Sequence, residues 1–548
     1  STSTAYAMLA VVVSSLTMYD ALFPLHQPPS KCANGCAMWS DLASDGNTRS
    51  QSDTNAKWKN GSPPADAGRN CAMPTNDVGE TYWCFCRDSH NADWGYCMEP
   101  ATPGTPVQLN VQVVAPTVAI AAWVTFESAG AEPHPTARLS KFADMRNAQA
   151  LSGVTRTYTE SGSKHRMYSM HFVRLTGLAP RTKYYYDVNS GTGAPSSPVH
   201  DFVSLYHGSD GGPTKFAIFG DMGVYTYNNM DNLETDTAVG NIDFLIHLGD
   251  HAYNIADDDG YRGDGYMDAF SRVLAHVPWI PVLGNHEYYG DEFHRYTDMV
   301  MGGVNQSWPD GRRGVKSMDG SALNAAISLG QAMGPAAHGG VEHGGVPSNT
   351  SRYYSVDVGL VHFVALDMNA YYFSTEEQFR QPQLKWLDQD LAAAASNRAA
   401  VPWLVVMAHH PMYCSSVTLA ADVHQDAAAI VDGKLVSMVD EVDRLGAFNG
   451  CTGTGEQTVA ETRADLEPLF MKYGVDVFFA GHEHDYESIW PSFNNKIQQK
   501  SFVEPKATSH FVTGAGGAPA LDAFGSPGPW TRKQLAAWSY GRGTVHNA

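Results

Sequence analysis

Residues 216–221 read FAIFGD, and four further stretches share that build: FLIHLGD (244–250), WIPVLGNH (279–286), WLVVMAHH (403–410) and DVFFAGHEH (476–484). Each is short and rich in Val, Ile, Leu and Phe, the pattern of a buried strand. Each also ends in residues able to bind a metal: Asp221, Asp250, Asn285 with His286, His409, and His482 with His484. In an open α/β sheet, ligands collect at the carboxyl ends of strands, so side chains from five distant segments can converge. A lone strand-end histidine is more often a hydrogen-bonded structural residue. Five such ends in one chain are hard to produce by chance.

The spacing within these ends carries the chemistry. GDMG sets Asp221 on a turn where Gly223 lets the backbone pass close to an ion. In GDHAY, Asp250 can bridge two metals, and Tyr253, three residues on, can add a phenolate to one of them. GNHE supplies Asn285 as a neutral oxygen donor with His286 beside it. Alternate side chains of an extended segment face the same way, so His482 and His484 can each serve one metal. Carboxylate, phenolate, amide and imidazole donors together suit iron, zinc or manganese rather than calcium or an all-thiolate zinc site.

GDMG, GDHAY, GNHE, VMAH and GHEH resemble the motif set of the purple acid phosphatases, within the dinuclear metallophosphoesterases. Gly223 stands where most of the wider group has a histidine, and Tyr253 where it has Asp or Asn, a combination that resembles the purple branch. The resemblance runs from about Pro103 through His484 and leaves out the N-terminal hundred residues. It implies that Asp221, Asp250, Tyr253 and His484 hold Fe(III). Asp250 would also bridge to a divalent metal (iron, zinc or manganese) held by Asn285, His409 and His482. The implied activity is hydrolysis of phosphate monoesters by hydroxide activated at that centre, His286 stabilising the transition state or assisting departure of the alcohol. Phosphodiesterases and nucleotide pyrophosphatases can use the same site, and an extracellular binding or adhesion protein can use the fold as a scaffold. The family's further substrate-facing histidine falls at Thr418 here, nine residues beyond His409, leaving His410 and His424 as nearby substitutes. Ser488 stands where plant members commonly have Arg.

Composition bounds the setting. Acidic residues exceed basic ones by 21 with no Lys/Arg cluster, so nucleic acid and anionic membranes are poor partners. No apolar stretch is long enough to span a bilayer; the first, AYAMLAVVVSSL (5–16), reads either as the tail of a signal peptide or as a strand. Of eight cysteines, six lie between Cys32 and Cys97, the pattern of a small disulfide-stapled module in an oxidising compartment. Cys414 and Cys451 are expected to pair and tie down the loop after His409. Sequons at Asn60, Asn305 and Asn349 agree with a secreted, extracellular or cell-surface protein, a vacuole or lysosome being the other setting.

Three segments follow. Residues 1–103 form the Cys-rich module, a candidate binder of an extracellular ligand. Residues 104–208 carry strand patterns, and YSMHFVRLTGLAPRTKYYYDVNSG (168–191) resembles part of an all-β fibronectin III-like sandwich. Residues 213–548 form the α/β catalytic domain, which the resemblance draws as two β-sheets sandwiched between helices. Its helical patterns include GYMDAFSRVLAH, QPQLKWLDQDLAAAA and ETRADLEPLFMKYG, the last with Gly474 as a stop. A stretch at about 299–350, containing His338 and His343, reads as an insertion, either a functional lid or a mobile surface loop. Asp367, at the end of HFVALD, reads as local structure.

Overall fold

The structure, a computed structural model, describes most of residues 104–546. Before Gly104 it describes the strands Leu9–Ser15, Trp83–Phe85 and Trp94–Tyr96; the longest later stretches outside description are 288–345, 418–429 and 436–455. The cysteine pairings of the N-terminal module, the three sequons, His338, His343, Thr418, His424 and Cys451 therefore lie outside the described residues.

All five motif runs are strands. Thr214–Phe219, Phe244–His247 and Trp279–Pro281 run parallel in one sheet. Val361–Ala365, Trp403–Met407, Val477–Ala480 and Ser509–Thr513 run parallel in a second. The sheets face each other through Phe216, Phe244 and Phe363, whose rings meet edge to face at 5.4 and 5.5 Å. Residues Met230–Ala238 and Tyr261–Leu274 are helices whose Met230, Leu233, Tyr266 and Phe270 join the core of the first sheet. Helices Arg380–Ser396 and Glu456–Tyr473 cover the second through Trp386, Leu387, Leu466 and Phe470. The period-3.6 patterns thus mark real helices, and the last gives way to Gly474 at φ +67°, a left-handed stop that glycine takes without steric cost.

The upstream segment is less separate than its sequence suggests. Strands Val107–Ala115, Val118–Phe126, Met167–Thr176 and Val154–Thr159 continue the first catalytic sheet, joined where Gln112 pairs with Trp279. The other face, His200–Val203, Lys183–Gly191, Pro133–Ser140 and Gln149–Ser152, packs over a core around Trp123, Tyr186 and Phe202. Pairing covers a strand edge that would otherwise expose unpaired amides. Side chains add to the joint: Tyr186 donates to the Ala275 carbonyl at 2.8 Å, and Gln108 and Tyr168 donate to Asp264 at 3.0 and 3.2 Å. The apolar stretch near the N-terminus resolves as strand Leu9–Ser15, antiparallel to Ser539–Val545 at the opposite edge.

One buried histidine makes stability depend on pH. His362 Nδ1 lies 2.6 Å from Asp357 Oδ1, and its Nε2 lies 2.9 Å from Asp390 Oδ2. Burial alone would pull this imidazole down, but Asp390 and Asp357 outweigh it and push it up to about 10 from an ordinary 6.5. A group raised on folding stabilises fully below its unfolded value and loses that contribution as pH rises through its folded value. Melting temperature should therefore fall between pH 6.5 and 10 in the natural chain. His362→Gln should flatten the dependence, and equal slopes in both would remove the assignment.

Candidate metal centre

The five strand ends converge. Tyr253 Oη lies 2.9 Å from His484 Nε2 and 3.2 Å from Asp221 Oδ1. On the other side, Asn285 Oδ1 lies 2.9 Å from His409 Nε2 and 3.1 Å from His482 Nδ1. Asp250 Oδ1 reaches the second group at 3.2 Å from His409 Nε2. His286 stands at the rim, its side chain 14% exposed, with its ring 4.7 Å from Tyr253 and Nε2 3.8 Å from Asp250 Oδ2. All seven donors read from the motifs meet here, with His286 beside them. His410 also joins the cluster, buried next to His409 and His482.

Local backbone geometry aims these donors. Asp221, Asp250, Tyr253 and His482 all sit at positive φ, +60, +56, +50 and +70°. Non-glycine residues occupy that region at a cost of order 1–3 kcal/mol each, and do so where the surroundings over-determine them. Neighbouring glycines make the room: a Cβ at Gly284 would collide with Asp250, and one at Gly481 or Gly514 with Asp221. His409 Nδ1 donates to the Leu248 carbonyl at 2.8 Å, which fixes the tautomer and frees Nε2 as a donor to metal.

Buttresses surround the donors. Glu287 is fully buried and accepts backbone N–H groups from Gly284, Asp250 and His251 at 2.7, 2.9 and 2.7 Å, tying GNHE to GDHAY. Asp522 accepts the N–H of His484 at 2.6 Å, and Glu483 accepts Ser416 Oγ at 2.6 Å. Asn369 donates to the Gly284 carbonyl at 3.0 Å. Sequence reading missed all four. Glu287 is visible inside GNHE once three inward-facing N–H groups are recognised; Asp522 lies far along the chain and carries no local signature. Asp367 is held by a buried Arg352 at 2.7 Å and is local structure. Ser488 lies buried in the strand Tyr486–Ile489, opposite Phe511 and Lys533.

Electrostatics argue for a cation. Burial drives the Asp221 carboxyl well above its ordinary range; His409 opposes this and Asp250 adds to it by like-charge repulsion. Burial would raise Asp250 too, but His409 and His286 outweigh that and hold it well below. Among the described residues, the ion-pair partners of these two carboxylates are all histidines. Two buried carboxylates ringed by imidazole, phenol and amide, with no Lys or Arg paired to them among the described residues, fit metal ions. Donor atoms of Asp221, Asp250 and His409 lie within 4.8 Å of one another, as do those of His409, His410 and His482.

The class follows from this arrangement: two facing parallel-strand sheets with metal donors at their carboxyl ends. Residues 214–486 match the calcineurin-like phosphoesterase family, and residues 106–204 match the N-terminal domain of purple acid phosphatases. Acid phosphatase type 7 of Mus musculus is 28% identical over 451 residues, covering 81% of this chain and 85% of that protein. Purple acid phosphatase 15 of Arabidopsis thaliana is 26% identical over 351 residues, 64% of this chain and 53% of that protein. The structure of purple acid phosphatase PPD1 from yellow lupin (Lupinus luteus) seeds has the same fold, with a TM-score of 0.53 at 21% identity, over 80% of this chain and 70% of that one. In both matched segments the chain is similar to the purple acid phosphatases, which supports a metal-dependent phosphatase.

Proposed function

We propose that this chain hydrolyses phosphate monoesters in mildly acidic surroundings, using Fe(III) held by Asp221, Asp250, Tyr253 and His484 and a divalent ion held by Asp250, Asn285, His409 and His482. The observation that carries the reading is Tyr253, a phenol packed 2.9 Å from His484 Nε2 and 3.2 Å from Asp221 Oδ1, where it can serve a trivalent ion as tyrosinate. When bound, the two ions supply a hydroxide at acid pH and positive charge for the phosphate oxygens. The chain's own residues hold and orient. Asp221 and Asp250 would balance the bound cations as carboxylates, His409 is locked by Leu248, and Asn285 adds a neutral oxygen. His286, at the solvent-facing rim, is placed to give a proton to the departing alkoxide, as general acids do.

An oxidising location supports the reading. Cys414 is disulfide-bonded, its partner lying outside the described residues, and disulfides persist in secreted and surface proteins. We take Cys451 as that partner and assign the chain to the cell exterior or an acidic compartment. Among the described residues, no helix is long and apolar enough to cross a membrane.

The test compares p-nitrophenyl phosphate with bis(p-nitrophenyl) phosphate on iron- and zinc-loaded protein. A strong monoester preference is expected, together with a visible tyrosinate-to-iron band that Tyr253→Phe abolishes. Diester preference would transfer the site to phosphodiester substrates. Turnover of neither, with metals bound, would favour a binding protein on this fold.

A further inference from the structure

One imidazole beside the divalent position has no role in the assignment above. His410 follows His409 directly and is 3% exposed. Its Nδ1 is buried with no hydrogen-bond partner among the described residues. Its ring stacks on Tyr372, centroids 3.9 Å apart and planes within 16°, and lies 4.2 Å from the ring of His482. Donor atoms of His409, His410 and His482 fall within 4.8 Å of one another, close enough to share one ion.

A buried ring nitrogen without a partner is unfavourable, and native proteins rarely leave one so. A space-filling role would be served by any flat apolar ring on Tyr372. A nitrogen donor held there by a stacked tyrosine, adjoining two imidazoles already aimed at an ion, is a different device: Tyr372 fixes the ring plane, as outer partners orient metal ligands.

We propose that His410 is a third imidazole donor to the divalent ion, beside His409 and His482. The inference rests on the dinuclear reading above. Three nitrogens bias this position toward zinc or ferrous iron over manganese, because imidazole suits the first two while carboxylate, carbonyl and water suit the third.

Two variants separate donor from packing. His410→Phe keeps the aromatic stack on Tyr372 and removes the nitrogen; Tyr372→Leu removes the stack and keeps the nitrogen. The natural chain and both variants, loaded with iron and zinc, are compared by elemental analysis, zinc competition against a chelator, and zinc-edge X-ray absorption. Three imidazoles on zinc are expected in the natural chain. His410→Phe should show two and a zinc affinity lower by at least about 10–100-fold, the cost of losing only an outer partner, with the Tyr253 band intact. Tyr372→Leu should keep three imidazoles with a smaller loss. Should the phenylalanine variant not fold, His410→Gln carries the same comparison. Natural-chain affinity and an unchanged imidazole count in His410→Phe would overturn the inference and leave the dinuclear reading standing. A natural chain that takes up fewer than two metals, or lacks the Tyr253 band, would overturn both.

Discussion

Asp250→Asn should leave a folded protein that takes up neither metal normally and barely turns over p-nitrophenyl phosphate. Asp250 lies 3.2 Å from His409 Nε2, and its Oδ1 accepts the backbone N–H of His286 at 2.9 Å. An amide of the same shape offers one neutral oxygen and turns an NH2 toward donors that expect an acceptor. The charge proposed to serve both ions disappears. Losing only an outer partner of a ligand costs about 10–100-fold in affinity or activity, so losing the bridging ligand should cost more than about 100-fold in both. Elemental analysis and kcat/KM measure this directly. Retention of two metals with a rate close to that of the natural chain would remove Asp250 from the bridge.

Glu287→Ala should act through architecture. Its carboxylate accepts three buried N–H groups, from Gly284, Asp250 and His251. Each buried donor left unsatisfied costs roughly 1–3 kcal/mol, so the variant should lose roughly 3 kcal/mol or more. The loss falls on the two loops that carry Asp250, Tyr253 and Asn285, and metal uptake should fail together with thermal resistance. Glu287→Gln keeps one acceptor oxygen but sets an NH2 against N–H donors, and should fall between the two. The check is the rate of thermal inactivation with and without added metal. An alanine variant that inactivates like the natural chain and binds metal normally would show that water can replace the carboxylate.

Much of the centre was legible because its donors belong to short local motifs. The run FLIHLGD places Asp250 at a strand end by apolar pattern alone, and Phe244–His247 is such a strand. Tyr253 was readable for the same reason, being three residues further on. Helix positions also came through, since periodic apolar faces such as those of Trp386, Leu387 and Leu391 are what pack on the sheet. The buttresses were not legible. Asp522 meets His484 across a separation of 38 residues, and nothing near either residue records that their loops touch.

The joint between the two domains escaped for a related reason. Composition and strand pattern mark Val107–Ala115 as part of an all-β segment, yet its Gln112 pairs with Trp279 of the catalytic sheet. Sheet edges pair through backbone groups, which every residue carries, so side-chain pattern does not say which strand an edge will meet.

By itself, the sequence determined which chemistry this chain can carry: which carboxylates, imidazoles, amide and phenol stand at strand ends, and hence that they suit iron, zinc or manganese. That information is local, because side-chain identity and the apolar run before it lie within a few residues. Only the tertiary structure decided how the donors are aimed. Four of them are held at positive φ, glycines clear the space beside Asp221 and Asp250, and Glu287 ties their loops together. Those features exist only once buried backbone groups from distant segments must find partners in one another, a demand set by packing rather than by any local stretch of sequence.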